Sequence, residues 1–153
     1  KYTVKIMGDD TTEEAIRLKR YIKEHKIKNI EFLGFKSGEE LEDIIKGARF
    51  TLIPSIWYDN LPNTALESFQ YSKPVIASNI GSLPELVVDG ENGYLFKPAD
   101  AEDLIKKIKL LDDDTVVEKM GAASRRRLES RFSPETHYEA LMKVFSEAVK
   151  NNK

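Results

Sequence analysis

Residues 51–78, TLIPSIWYDNLPNTALESFQYSKPVIAS, decide how the chain folds. A short apolar run, FTLIP over residues 50–54, leads through a polar loop into a helix-compatible stretch, Thr64 to Tyr71. That stretch turns at Lys73-Pro74 into a second apolar run, VIAS over residues 75–78. Runs this short and this apolar suit strands buried on both faces, as in parallel sheets covered by helices. Strand, helix and strand then form a right-handed β-α-β crossover.

The same alternation extends outward. Upstream, YTVKIM (2–7) and NIEFLG (29–34) read as strands, each followed by a helical pattern. The first helix is capped by Thr11 or Thr12 and carries Ala15, Ile16, Leu18 and Ile22 at near-helical spacing; the second runs from Glu39 to Lys46 with Leu41, Ile44 and Ile45 inward. Downstream, NIGSLPE (79–85) is a glycine turn, and Gly90 and Gly93 bracket a turn before a fifth short strand. Three helices follow, Asp100 to Leu111, Val116 to Phe132 and Ser133 to Val149. In the last of these Ser133 is the N-cap, Pro134 the first helical position, and Tyr138, Leu141, Phe145 and Val149 share one face. The expected fold is α/β, a Rossmann-like, open, mostly parallel sheet with helices on both faces, in a single domain over residues 1–153.

Composition supports this class. A chain of 153 residues with 41% hydrophobic and 33% charged residues can bury a core without staples, and its net charge of -2 gives no general attraction to nucleic acid. It has no cysteine, which excludes disulfides, thiolate metal sites and a cysteine nucleophile and fits a cytoplasmic setting. No apolar run approaches the ~20 residues of a membrane span. Lys1 stands without an initiator methionine, already inside a strand pattern, and the chain reads as a piece of something longer.

In sheets of this class ligands sit beyond the carboxyl ends of the strands, where loops enter helices. Gly8 to Asp10, Gly34 to Ser37, Pro54 to Asn63 and Ser78 to Ser82 are therefore expected along one rim. Within it, DNLPNTALE (59–67) places an acid at each end of a helix start. One reading is local. Thr64-Ala65-Leu66-Glu67 matches the S/T-x-x-E capping box, and Asp59 is then an acid favoured by the positive end of the helix. The other is functional. Unpaired N–H groups at the helix start suit a phosphate, while two carboxylates suit neutral hydroxyls. A ligand carrying both diphosphate and hydroxyls, a nucleotide sugar, meets both demands.

Other features read as structural. There is no G-x-G-x-x-G after the first strand, no P-loop pattern and no H-E-x-x-H. Asp112-Asp113-Asp114 reads as a helix-capping loop rather than a cation site. Arg125, Arg126, Arg127 and Arg131 read as a solvated helix face, and His25 and His137 as surface residues. Trp57 and Tyr58 either wall a pocket or pack at the edge of the core.

The order of these motifs resembles the C-terminal, donor-binding half of the GT-B glycosyltransferases of family four. The carrying residues are Asp59, seven residues, Glu67; then Lys73-Pro74-Val75-Ile76-Ala77-Ser78; then Gly81-Ser82-Leu83-Pro84-Glu85. The resemblance runs from the first strand to about Phe132. It implies transfer of a sugar from a UDP- or GDP-linked donor to an acceptor hydroxyl with retention at the anomeric carbon, in glycan or polysaccharide biosynthesis, with no metal or other cofactor. It further implies that Glu67 accepts from the ribose hydroxyls, that amides around Leu61, Asn63 and Thr64 face the diphosphate, that catalytic Asp59, with Asn60 beside it, stands at the donor sugar near its hydroxyls and reacting carbon, and that Gly34 and Phe35 meet the base chiefly through backbone groups.

Three departures stand out. Asp59 replaces the usual glutamate and reaches ~1.5 Å less, one C–C bond length. Pro62 stands where many relatives have a glycine amide. Gly8-Asp9-Asp10 lacks a second glycine. The resemblance also places a first strand, an arginine and lysine that grip the diphosphate, and an entire N-terminal acceptor domain upstream of Lys1. The chain alone is therefore expected to bind donor weakly and not to turn over. The glycan or lipid-linked acceptor, and any membrane contact of the full-length enzyme, belong to that domain. The alternative is a non-catalytic module of the same architecture, binding a nucleotide or a protein; fold alone does not separate the two.

Overall fold

A computed structural model describes residues 2–151. The chain divides into two compact units, 1–44 and 45–153.

In the first unit, β1 (Val4–Met7) and β2 (Ile30–Gly34) pair in parallel, Val4 opposite Ile30, and are joined by α1 (Glu13–Glu24). Thr12 caps α1, its hydroxyl accepting from the Ala15 amide at 3.2 Å. Ala15 is buried, whereas Ile16 and Leu18, expected inward, are exposed. After β2 the chain enters α2 (Gly38–Gly47), whose last three residues belong to the second unit; Leu41 and Ile44 are half-buried and Ile45 is buried. Asp9 accepts from the Thr11 hydroxyl at 2.6 Å and from its amide at 2.9 Å, and these bonds hold its carboxyl below the usual range.

The second unit is built on a three-stranded parallel sheet in the order β3 (Thr51–Ile53), β4 (Val75–Ser78), β5 (Gly93–Phe96). All four residues of β4 are buried, because it is the central strand and both of its faces are covered. Val75 and Ala77 pack on one face with Ala65 and Phe69 of α3 (Asn63–Gln70) and with Leu83 and Leu86 of the short α4 (Leu83–Leu86). Ile76 points to the other face, toward Leu111, Met120 and half-buried Leu104 and Ile108 of α5 (Ala101–Leu110). The alternation of strand side chains thus divides the core in two. Each fully buried Leu, Ile or Phe in it contributes about 1.5–3 kcal/mol.

Two glycines permit backbone contact here. A β-carbon at Gly93 would lie 2.0 Å from the Val75 carbonyl oxygen, and one at Gly121 would lie 2.1 Å from that of Ser72. The second contact lets α6 (Asp114–Arg131) pack against the end of α3. Buried Asn92 fixes the intervening loop: its side chain accepts from the Val88 amide at 2.7 Å and donates to the Leu86 carbonyl at 3.2 Å. Asp100 and Asp113 cap α5 and α6. In the final helix, α7 (Pro134–Asn151), Ser133 accepts from the Thr136 amide at 3.2 Å, and Tyr138, Leu141, Phe145 and Val149 all remain exposed.

The five expected strands and their parallel sense are present, and the fold is α/β and Rossmann-like. The sheet pairings fall into two sets, β1-β2 and β3-β4-β5. No helix among the described residues is long and apolar enough to cross a membrane.

Candidate functional site

The segment between β3 and α3 leaves the carboxyl end of a buried parallel strand, where such sheets bind ligands. It is anchored at both ends. Thr51 of β3 donates to the Ser68 hydroxyl at 2.8 Å, and Ser68 donates to the Thr64 carbonyl at 2.6 Å, tying α3 to the strand that precedes it. On the other side, the Ser82 amide donates to the Asp59 carbonyl at 3.2 Å, and Gly81, at φ 59°, abuts the Asp59 backbone. The turn Gly81-Ser82-Leu83-Pro84-Glu85 therefore supports the loop that carries Asp59.

Helix α3 opens at Asn63 with Pro62 as N-cap and no side-chain cap bond. The capping-box reading of Thr64 and Glu67 is thereby overturned. Thr64 lies inside the helix, so its hydroxyl cannot fill the N-cap role, and the box loses its first member. Proline at the cap removes one N–H from the approach. Among the described residues, the amides of Asn63 and Thr64 donate to no partner. The Glu67 carboxylate, half-buried, likewise has no hydrogen-bond or ionic partner among them, and neither does that of half-buried Asp59. The segment thus offers unpaired donors at a helix start and acceptor-only carboxylates beside them, the combination a ligand with phosphates and hydroxyls requires.

Leu61, Asn60, Trp57 and Tyr58 are exposed, the last two at 63% and 84%, so the aromatic pair does not pack at the edge of the core. Gly34 ends β2 in the first unit and Phe35 follows it. Gly34, at φ 69°, accepts from the Gly8 amide at 3.0 Å, and the Phe35 ring is 78% exposed. No group of three or more metal-ligating side chains is present among the described residues. Asp113 is an N-cap, accepting from the Thr115 amide at 2.8 Å, and His25 donates from Nδ1 to the Tyr21 carbonyl at 2.9 Å while stacking on the Tyr21 ring.

A cleft of about 420 Å³ in the second unit is lined by Asn60, Leu61, Ser82, Glu85, Leu86, Arg127, Arg131 and Phe132. The arginine run on α6 is thus divided. Arg125 pairs with Glu129 at 2.6 Å, as a solvated face would, whereas Arg127 turns inward and donates to the Glu85 carbonyl at 2.6 Å. Arg127 and Arg131 are four residues apart and share a helix face, a spacing visible in the sequence but masked there by the three consecutive arginines.

Comparison with known proteins agrees with this geometry. Residues 1–127 match the family model described as Glycosyl transferases group 1. The chain is 30% identical over 146 residues to an uncharacterized glycosyltransferase of Methanocaldococcus jannaschii, covering 95% of this chain and 41% of that protein. It is 28% identical over 152 residues to glycogen synthase of Mycobacterium tuberculosis, covering 99% of this chain and 36% of that protein. The chain thus spans well under half the length of these relatives. The crystal structure of Anabaena HepE in complex with UDP matches in fold with a TM-score of 0.84 at 21% identity, over 95% of this chain and 41% of that one; HepE has also been crystallised with UDP-glucose. With the family model matched over most of its length and the strand-loop-helix site in place, this chain belongs to the glycosyl transferases group 1 family.

Proposed function

We propose that this chain supplies the donor half of a glycosyltransferase that moves a sugar from a nucleotide diphosphate to an acceptor hydroxyl, with retention at the anomeric carbon, in glycan or polysaccharide assembly. The observation that carries the reading is the start of α3: uncapped, with unpaired Asn63 and Thr64 amides and an unpaired Glu67 carboxylate in its second turn. The fold neighbour HepE binds UDP and UDP-glucose, which supports a nucleotide-sugar donor here.

In this reading Glu67 accepts hydrogen bonds from the ribose hydroxyls, and the helix start stabilises the leaving diphosphate through amides already aimed at it. Asp59 stands at the donor sugar, its backbone held by Gly81 and Ser82. The reaction needs no metal in this scheme, because charge on the leaving group is met by amides and by cationic side chains of the full-length protein.

Ligand-observed NMR with UDP, GDP, ADP and their sugars tests the proposal. Weak binding of at least one nucleotide is expected, reduced by Glu67→Ala without loss of thermal stability. If no nucleotide binds and Glu67→Ala lowers the melting temperature, Glu67 is structural and a non-catalytic module takes the place of the enzyme.

A further inference from the structure

The cleft on α6 carries charge that the chain leaves unanswered. Arg127 and Arg131 both line it, one helical turn apart, so their like charges face one space. Neither guanidinium meets a carboxylate among the described residues: Arg127 bonds the Glu85 carbonyl, and Arg131 has no hydrogen-bond or ionic partner. The one acid in the lining, Glu85, is exposed and forms no ion pair with them. The lining therefore keeps an excess of one positive charge.

Two buried polar atoms sharpen the picture. Arg127 Nε and Ser82 Oγ are both buried and have no hydrogen-bond partner, and both residues line the cleft. An N–H and a hydroxyl left unbonded out of water destabilise the fold unless a partner arrives. Apolar Leu61, Leu86 and Phe132 complete the lining with Asn60. A guanidinium matches phosphoryl oxygens in geometry as well as charge, and the volume exceeds what a bare oxyanion fills.

We infer that this cleft binds a phosphorylated sugar, its phosphoryl group held by Arg127, Arg131 and the Ser82 hydroxyl and its ring against Leu61, Leu86 and Phe132. Glu67, Asn63 and Thr64 do not line it, whereas Asn60 and Leu61 do, so the cleft adjoins the donor site through that loop, and persistence of sugar-phosphate binding in saturating UDP is what separates the two phosphates. Asn60 and Leu61 border it while adjoining Asp59, which puts the bound sugar next to the transfer site; its role as a second substrate rests on the donor reading above.

The test is an NMR titration of the 153-residue chain, following the Arg127 and Arg131 Nε–H and the Ser82 and Asn60 amide signals. The probes are inorganic phosphate, glucose 6-phosphate, glucuronate and UDP. Saturable shifts with glucose 6-phosphate are expected, persisting in saturating UDP and weaker with inorganic phosphate. Arg131→Gln, whose parent side chain has no hydrogen-bond or ionic partner among the described residues, should weaken binding by on the order of tenfold, the worth of one charge-assisted hydrogen bond, and Ser82→Ala should weaken it less. Absence of shifts at these residues, undiminished binding in Arg131→Gln, preference for glucuronate, or full displacement by UDP would each overturn the inference. If UDP binds at Glu67 and glucose 6-phosphate does not bind, the cleft proposal fails alone. If the sugar phosphate binds and no nucleotide does, the donor reading fails and the cleft stands.

Discussion

Gly81 lies against the backbone of Asp59: a β-carbon there would sit 3.0 Å from the Asp59 amide nitrogen and 3.1 Å from its carbonyl oxygen. The neighbouring bond from the Ser82 amide to that carbonyl fixes the same contact. Gly81→Ala faces two costs, the left-handed φ of 59° and the close approach to Asp59. The first is worth about 1–2 kcal/mol. Denaturant unfolding should show a loss of at least that size. In the full-length protein transfer should fall more than nucleotide affinity, because the Asp59 loop shifts while α3 stays tied to β3 through Ser68 and Thr51. Equal loss of both would mean the contact shapes the whole site rather than the acid alone.

Asp59 and Glu67 are expected to separate by function. Asp59→Asn keeps size and hydrogen-bonding reach while removing the charge, so in the full-length enzyme kcat should drop about a hundredfold, as when a charge-stabilising group is lost. Nucleotide affinity should change by less than about threefold, under 1 kcal/mol. Isothermal titration with the nucleotide and initial rates with the intact donor check this pair of outcomes. Asp59→Glu tests the shorter arm directly. If the carboxylate falls short of its target, the variant raises kcat.

Much of this is legible in the amino-acid sequence. Short apolar runs alternating with helical patterns gave the order of strands and helices, because strands buried on both faces leave a continuous apolar signature. The Asp59-to-Glu67 spacing marked the loop that the structure sets beyond β3. What pattern alone misjudged was local competition. The Thr64-to-Glu67 match to a capping box is real as a sequence pattern, yet the helix starts two residues earlier than the box requires, at Asn63 with Pro62 as N-cap. The α6 arginines read as one solvated face, and only packing shows that Arg127 bends toward Glu85 while Arg125 pairs with Glu129. Exposed Trp57 and Tyr58 were ambiguous for a similar reason, since an aromatic residue after a strand carries no mark of which side it takes.

Gly121 offers a test of the packing that holds α3. Its missing β-carbon makes room for the Ser72 carbonyl at 2.1 Å, and both partners are backbone, which cannot swing aside as a side chain can. Gly121→Ala should cost on the order of 3 kcal/mol, at the upper end for overpacking. Thermal melts followed by circular dichroism should show the lowered midpoint. Gly47→Ala, where nothing lies within 4 Å of the added carbon, is the control and should leave the midpoint unchanged or raised.

Acid stability should depend on the two aspartate caps. The Asp113 carboxyl is held below its usual range by the Thr115 hydroxyl and amide, at 2.7 and 2.8 Å, and that of Asp100 chiefly by the Asp103 amide at 3.0 Å. A depressed folded pKa means that the unfolded chain binds more protons through the transition, so stability rises with pH there. The contribution is complete above the unfolded value of about 3.9 and is lost as pH falls through the lower folded value. Asp113→Asn keeps an effective helix cap without a titrating group. Its melting temperature at neutral pH should therefore match the parent closely, while its decline below about pH 4 should be shallower. Parallel melting curves for the two proteins should coincide near neutral pH and separate as pH falls, the parent dropping further as its cap is protonated. A constant offset between them at every pH would mean that the Asp113 carboxylate acts by shape and hydrogen bonding rather than by its charge.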